Sequence, residues 1–149
     1  MPPIRRPALA LIAVLVAGAS PAPDWKEFSV TQLESKDGSL VTGAVSIDLN
    51  SVAVSNLNRR HPLAAWYRIV FERPVFDPAH RLEYKTVILL YFFDCAARES
   101  TVIDTIEWNA SGHVILQYHA EPLAATLTAV ASDSLAESLL NRACASVAQ

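Results

Sequence analysis

Few residues of this chain have the type and spacing that chemistry needs. Its four histidines are His61, His80, His113 and His119. His113 and His119 fall on one predicted strand and share a face, but at about 3.3 Å per residue they lie roughly 20 Å apart, too far to share a metal. His119 and Glu121 would ligate together only if the strand persisted past Ala120, and a solvent-facing row beside Gln117 accounts for them more simply. Asp104, mid-strand on the face of Val102, Ile106 and Trp108, is the carboxylate that burial would turn into an acid or base. The same position also suits a sheet edge or a partly wet face. No Gly-x-Ser-x-Gly elbow occurs, and past residue 19 the only glycines are Gly38, Gly43 and Gly112. No glycine-rich loop is therefore available to cradle phosphates. The reading is a chain without catalytic residues, without a metal site and without a cofactor.

The strongest chemical signal is the cysteine pair, Cys95 and Cys144. Its meaning depends on compartment, and residues 1–19 set the compartment. Arg5 and Arg6 form a basic start, an apolar run follows from Ala8 to Ala17, and Ala17-Gly18-Ala19 supplies an A-x-A cleavage site. Those are the parts of a secretory signal peptide. The apolar run is too short for a membrane-spanning helix of about 20 residues. Pro7 directly after the arginine pair favours ordinary export over a twin-arginine route. The expected division is a signal at 1–19 and a single domain at 20–149, periplasmic or at the cell surface, with no integral membrane segment after cleavage. In an oxidising compartment an even cysteine pair is read as a disulfide. The rival reading, a redox thiol, would favour C-x-x-C spacing or a low-pKa setting, and Asp94 beside Cys95 works against the latter.

Charge is distributed unevenly. The chain has 12 basic and 15 acidic residues, and losing Arg5 and Arg6 leaves 10 against 15, a balance of −5. That argues against a nucleic-acid binder. Between Arg59 and Lys85, however, six basic residues face three acidic ones, so this window is +3 while the rest of the mature chain is −8. Tyr67, Phe76 and Tyr84 fall within it. Arginine with exposed aromatics is an interface composition. Arg59, Arg60, Arg73 and Arg81, with Phe76 as apolar anchor, are thus candidate contacts for a protein segment, a sulfated glycan or another anionic ligand. An ordinary solvated loop with locally paired arginines is the plainer alternative.

The elements that must position these residues are mostly strands. Trp25–Leu33 alternates loosely, with Phe28 and Val30 on one side, and Lys36-Asp37-Gly38 is a turn. Ala44–Leu49 alternates cleanly, and Trp66–Glu72 places Tyr67, Ile69 and Phe71 on one face. Asn56–Pro62 reads as a loop, and Arg73–Tyr84, with Pro74 and Pro78, as a long irregular excursion. Thr86–Phe93 suits a central strand buried on both faces, bracketed by Lys85 and Asp94 as gatekeepers. Thr101–Trp108 and His113–His119 are joined by the hairpin loop Asn109-Ala110-Ser111-Gly112. The tail changes period: Ser134 to Glu137 fits a capping box, and Leu135, Leu139, Leu140 and Ala143 recur at helical spacing with Cys144 on the same stripe. The expected fold class is α+β, an antiparallel sheet of five or six strands with one C-terminal helix packed on one face and one disulfide pinning it.

Several marks along this frame carry a resemblance: Asp24-Trp25, the stretch Ile47-Asp48-Leu49-Asn50-Ser51-Val52, the apolar strand ending in Asp94-Cys95, the Gly112 turn with its following strand, and Ser132 to Cys144. Together they resemble the bacterial surface-adhesin protein E-like family, small exported domains with an antiparallel sheet and one disulfide. That resemblance implies attachment to host extracellular proteins, although a shared fold does not carry binding specificity. The first expectation is therefore an exported, non-enzymatic binding module. The alternative is a periplasmic accessory or inhibitor protein with one envelope partner, and a third reading is a small hydrolase built on Asp104.

Overall fold

The computed structural model describes residues 21–55 and 60–148. The signal-like segment 1–19 and Arg59 lie outside them. The described residues form eight strands: β1 (Trp25–Glu34), β2 (Leu40–Asp48), β3 (Ala53–Val54), β4 (Leu63–Asp77), β5 (Leu82–Asp94), β6 (Glu99–Trp108), β7 (Val114–His119) and β8 (Thr128–Ala129). One helix, α1 (Leu135–Val147), closes the chain. The six longer strands build one antiparallel meander in the order β1-β2-β4-β5-β6-β7, with β3 on β4 and β8 on β6 as short additions. The α+β class, the meander and the single helix match the sequence-based expectation.

The strand alternation sends one set of apolar side chains to a single face. Val45 and Ile47 of β2, Ala65, Tyr67, Ile69 and Phe71 of β4, and Val87 and Phe93 of β5 are buried there. Helix α1 covers this face with Leu139, Leu140 and Ala143. Burying each leucine contributes roughly 2 kcal/mol. Tyr67 is the hub: its ring meets Phe28, Tyr91 and Phe93 edge-on, and its hydroxyl donates to the Leu139 carbonyl at 2.6 Å. Burial pushes the Tyr67 hydroxyl well above its ordinary range. The helix starts where expected. Ser134 Oγ accepts from the Glu137 N–H at 3.2 Å, while the Glu137 carboxylate reaches one residue past the cap to accept from Asp133 N–H at 2.8 Å.

Cys95 follows β5 directly and bonds Cys144 of α1, with the Cα atoms 5.9 Å apart. The stretch Ile47–Val52 has an equally plain structural task. Asp48 Oδ1 accepts from the backbone of Asp24 (2.8 Å) and Asn50 (3.0 Å). Ser51 Oγ donates to the Asp48 carbonyl (2.7 Å) and accepts from Trp66 N–H (2.9 Å). These bonds turn the chain out of β2 and lay β3 against the start of β4, the strand that β2 already pairs with.

Four details differ from the expectation. Residues Arg73–Tyr84 are not irregular: β4 runs on to Asp77, turns, and returns as β5. Pro74 falls in the register shift between Val70 and Val75, where no ladder hydrogen bond is lost, and Pro78 falls in the turn. In β1 a bulge between Glu27 and Ser29 breaks the alternation, so Phe28 packs on the core while Val30 is 63% exposed. A second bulge, opposite Leu90/Tyr91, takes Val102 off the face of Asp104. Finally, β5 is not buried on both faces. The outer face is covered only at one end, where Phe92, Ile103 and Leu127 form a second small core under residues 122–128. Leu90 packs against its edge and Ile88 lies beyond it, both half-buried.

Candidate functional site

The β4–β5 hairpin distributes the basic residues rather than gathering them. At its open end Arg60 donates to Asp94 at 2.5 Å and to Glu99 at 2.7 Å. The Asp94 carboxyl accepts from Ala97 N–H as well, and this backbone bond and Arg60 together hold it below the ordinary carboxylate range. Arg60 thus closes the strand ends beside the disulfide. Arg73 lies thirteen residues further on, roughly 40 Å away along a strand. At that far end its guanidinium donates to Ser35 Oγ at 3.3 Å and to Ser39 Oγ, with Asp37 at 3.9 Å. Hydroxyl donation from Ser35 and Ser39 holds the Asp37 carboxyl far below its usual value, with Arg73 adding to it.

Phe76 is half-buried beside Arg73 in sequence. It lines a shallow recess of about 420 Å³ together with Leu33, Leu40, Pro78 and Tyr84 and the polar Gln32, Glu34 and Asp77. Arg81 is exposed in the turn with φ of 56°, in the left-handed region. The turn is braced by Asp77, whose carboxylate meets His80 Nδ1 at 2.6 Å and accepts from Ala79 N–H at 2.9 Å. Burial works to raise this carboxyl, and the hydrogen bonds from His80 and the backbone outweigh it, so Asp77 is lowered. Arg73, Phe76 and Arg81 therefore share the hairpin tip, and Arg60 stands apart from them.

Asp104 faces His119 across β6 and β7, Oδ1 to Nδ1 at 2.5 Å, on the outer face of the sheet. The strand ends at His119, so Glu121 is not carried beside it. Among the described residues no group of three or more His, Cys, Asp or Glu is placed to hold a metal ion.

One buried carboxylate escaped the sequence reading. Glu107 pairs with Val87 on the covered face and is 7% exposed. Its Oε2 has no hydrogen-bond partner. Burial, then the charge of Asp77, pushes the Glu107 carboxyl up, and His80 opposes them. Tyr84 nearby is pushed up to about 12, by burial first and then by Glu107 and Asp77. Only the register between β5 and β6 could have exposed this position, since Glu107 lies between Ile106 and Trp108 and reads from sequence as the polar, solvent side of its strand.

A helix-backed antiparallel meander, locked by one disulfide and presenting a charged, aromatic hairpin tip, defines a small recognition scaffold. The chain belongs to the surface-adhesin protein E family, whose sequence model matches residues 31–145. No curated protein and no solved structure gives a significant match. No helix among the described residues is long and apolar enough to cross a membrane.

Proposed function

We propose that this protein is an exported, non-enzymatic binding module that attaches to host extracellular proteins or anionic ligands. The observation that carries the reading is the family match over residues 31–145. The signal-like segment 1–19 supports export, and the disulfide suits an oxidising compartment. We assign the contact surface to the hairpin tip. Phe76 in its recess supplies area, Arg73 and Arg81 supply charge, and Arg60, at the opposite end of the same hairpin, and its sequence neighbour Arg59 are further candidates.

The test is a pull-down with the disulfide-intact chain against matrix proteins, sulfated glycans and cell-envelope extract at low and high salt. The expected result is salt-sensitive capture of a matrix protein, lost in an Arg73→Glu/Arg81→Glu double variant. Wild-type capture by that variant would remove the tip from the reading. Capture of one envelope protein and nothing else would make the protein a periplasmic accessory or inhibitor instead.

A further inference from the structure

All three tryptophans of the chain are half-buried, and none belongs to the core under α1. Trp66 pairs with Leu90 and Trp108 with Thr86, in the same outer-face rows as Arg68–Ile88 and Val70–Thr86. Trp25 reaches this face from β1, its ring 4.7 Å from the Arg68 guanidinium carbon. Between β4, β5 and the β6–β7 turn lies a recess of about 430 Å³, within the range of about 300–1,000 Å³ for small-ligand sites. Val70, Ile88 and Trp108 form its apolar floor, and Lys85, Thr86 and Asn109 its polar groups.

Lys85 is there because the strand departs from strict alternation. Tyr84 and Val87 both face the core although three residues apart, so Lys85 and Thr86 both line the outer recess. The departure coincides with the register shift opposite Val70/Val75, and such irregularities re-aim side chains. Lys26, Arg60, Arg73 and Arg98 each have a carboxylate within ion-pair distance. Lys85 and Arg68 have none among the described residues, and Arg68 Nε is buried with no hydrogen-bond partner. Lys85 thus shares a ligand-sized depression with the half-exposed Trp108 indole, while Arg68 lies outside it on the same sheet face, stacked on Trp25.

We propose that this recess binds an anionic saccharide unit, with the Trp108 indole packing against the sugar ring, Lys85 holding its sulfate or carboxylate, and Arg68 serving the next unit along the face. The Asn109 side-chain oxygen already accepts from Ser111 and His113 N–H groups at 3.0 Å, which leaves its amide nitrogen as the group that would donate to a ligand hydroxyl. The site lies on a sheet face, not an edge, so a peptide cannot add here as a strand. A polyphosphate chain has no ring face to pack against the Trp108 indole that lines the recess.

Calorimetry and tryptophan fluorescence on the full disulfide-intact chain test this, with a heparin-derived sulfated tetrasaccharide, neutral maltotetraose and tetraglutamate as probes. The expected result is binding of the sulfated sugar alone, weakened about tenfold in Trp108→Ala and in Lys85→Met, with recovery in Lys85→Arg. Lys85 is a surface cation without a carboxylate partner, so its variants fold even if Trp108→Ala does not. Arg73→Glu/Arg81→Glu should bind the tetrasaccharide within about twofold of wild type. Equal binding of maltotetraose, preference for tetraglutamate, no binding of any probe, or wild-type affinity in Lys85→Met would each overturn the proposal. Loss of binding in the arginine pair alone would place the anion at the hairpin tip and overturn it equally.

Discussion

Both faces of the sheet carry apolar side chains and treat them differently. On the covered face the central rings are enclosed: Tyr67 and Phe93 are fully buried, Phe28 and Tyr91 pack against them, and the Tyr67 hydroxyl is tied to the helix backbone. On the outer face Trp66, Ile88, Leu90, Ile106 and Trp108 stay half-buried, and only the end near Phe92 and Ile103 is closed. A helix can shield only a strip about 10 Å wide, so a six-stranded sheet with one helix keeps an open face. The covered face is therefore where stability resides and the outer face where recognition can occur. Perturbing each face separately tests that division.

The largest effect should come from unpinning the covered face. Cys95→Ala/Cys144→Ala opens a link between residues 49 apart in sequence, which constrains the unfolded chain by about 4 kcal/mol. Chemical denaturation should show a loss of that order, with α1 detaching first by hydrogen exchange. A loss below about 1 kcal/mol would mean that Leu139, Leu140 and Ala143 hold the helix without the bond. Next comes Gly43→Ala. A Cβ at residue 43 would lie 2.7 Å from the Phe71 ring and 2.8 Å from Ile69 Cγ2. Both neighbours are packed core groups, so overpacking should cost about 1–3 kcal/mol, read as a lower denaturation midpoint.

Much of the covered face was legible in the sequence and little of the outer one was. Capping at Ser134, the stripe of Leu135, Leu139, Leu140 and Ala143, and the alternation of Val45 and Ile47 are local patterns, and local patterns determine which residues a helix or strand buries. The cysteine pair was legible because compartment, not geometry, decides it. The apolar run Thr86–Phe93 looked like burial on both faces because hydrophobicity alone cannot distinguish a core from an uncovered surface. Pro74 and Pro78 concealed a regular hairpin, since only pairing shows that one falls at a register shift and the other in a turn. Trp25, Trp66 and Trp108 are about forty residues apart in sequence, and only the strand register brings them to one face. The basic window from Arg59 to Arg81 was visible as composition, but composition could not show that Arg60 and Arg73 occupy opposite ends of a hairpin.

A smaller effect belongs to Glu107, the exception on the covered face. Its carboxyl is raised in the folded protein, so the native state holds the proton more tightly than the unfolded chain does. Wild-type stability is then fully present below the unfolded value of 4.5 and falls as pH rises through the raised native value. Glu107→Gln removes that loss. It should stabilise the protein by about 1 kcal/mol at pH 7 and by nothing at pH 4. Equal effects at both pH values would show that the carboxylate is not a charge penalty but a packing defect.

The smallest effect is the one that separates the faces most cleanly. Arg68 sits on the outer face with its guanidinium stacked on Trp25, and half-exposed cation–π contacts are worth about 0.5–1 kcal/mol. Arg68→Met keeps the aliphatic stem over the sheet and removes the cation, so the denaturation midpoint should fall by less than 1 kcal/mol equivalent while the tryptophan emission changes. If the outer face is a recognition surface, nothing in the folded chain depends on that charge. A loss larger than Gly43→Ala would mean that the guanidinium holds β1 onto the sheet through Trp25, and the open face would then be part of the protein's framework.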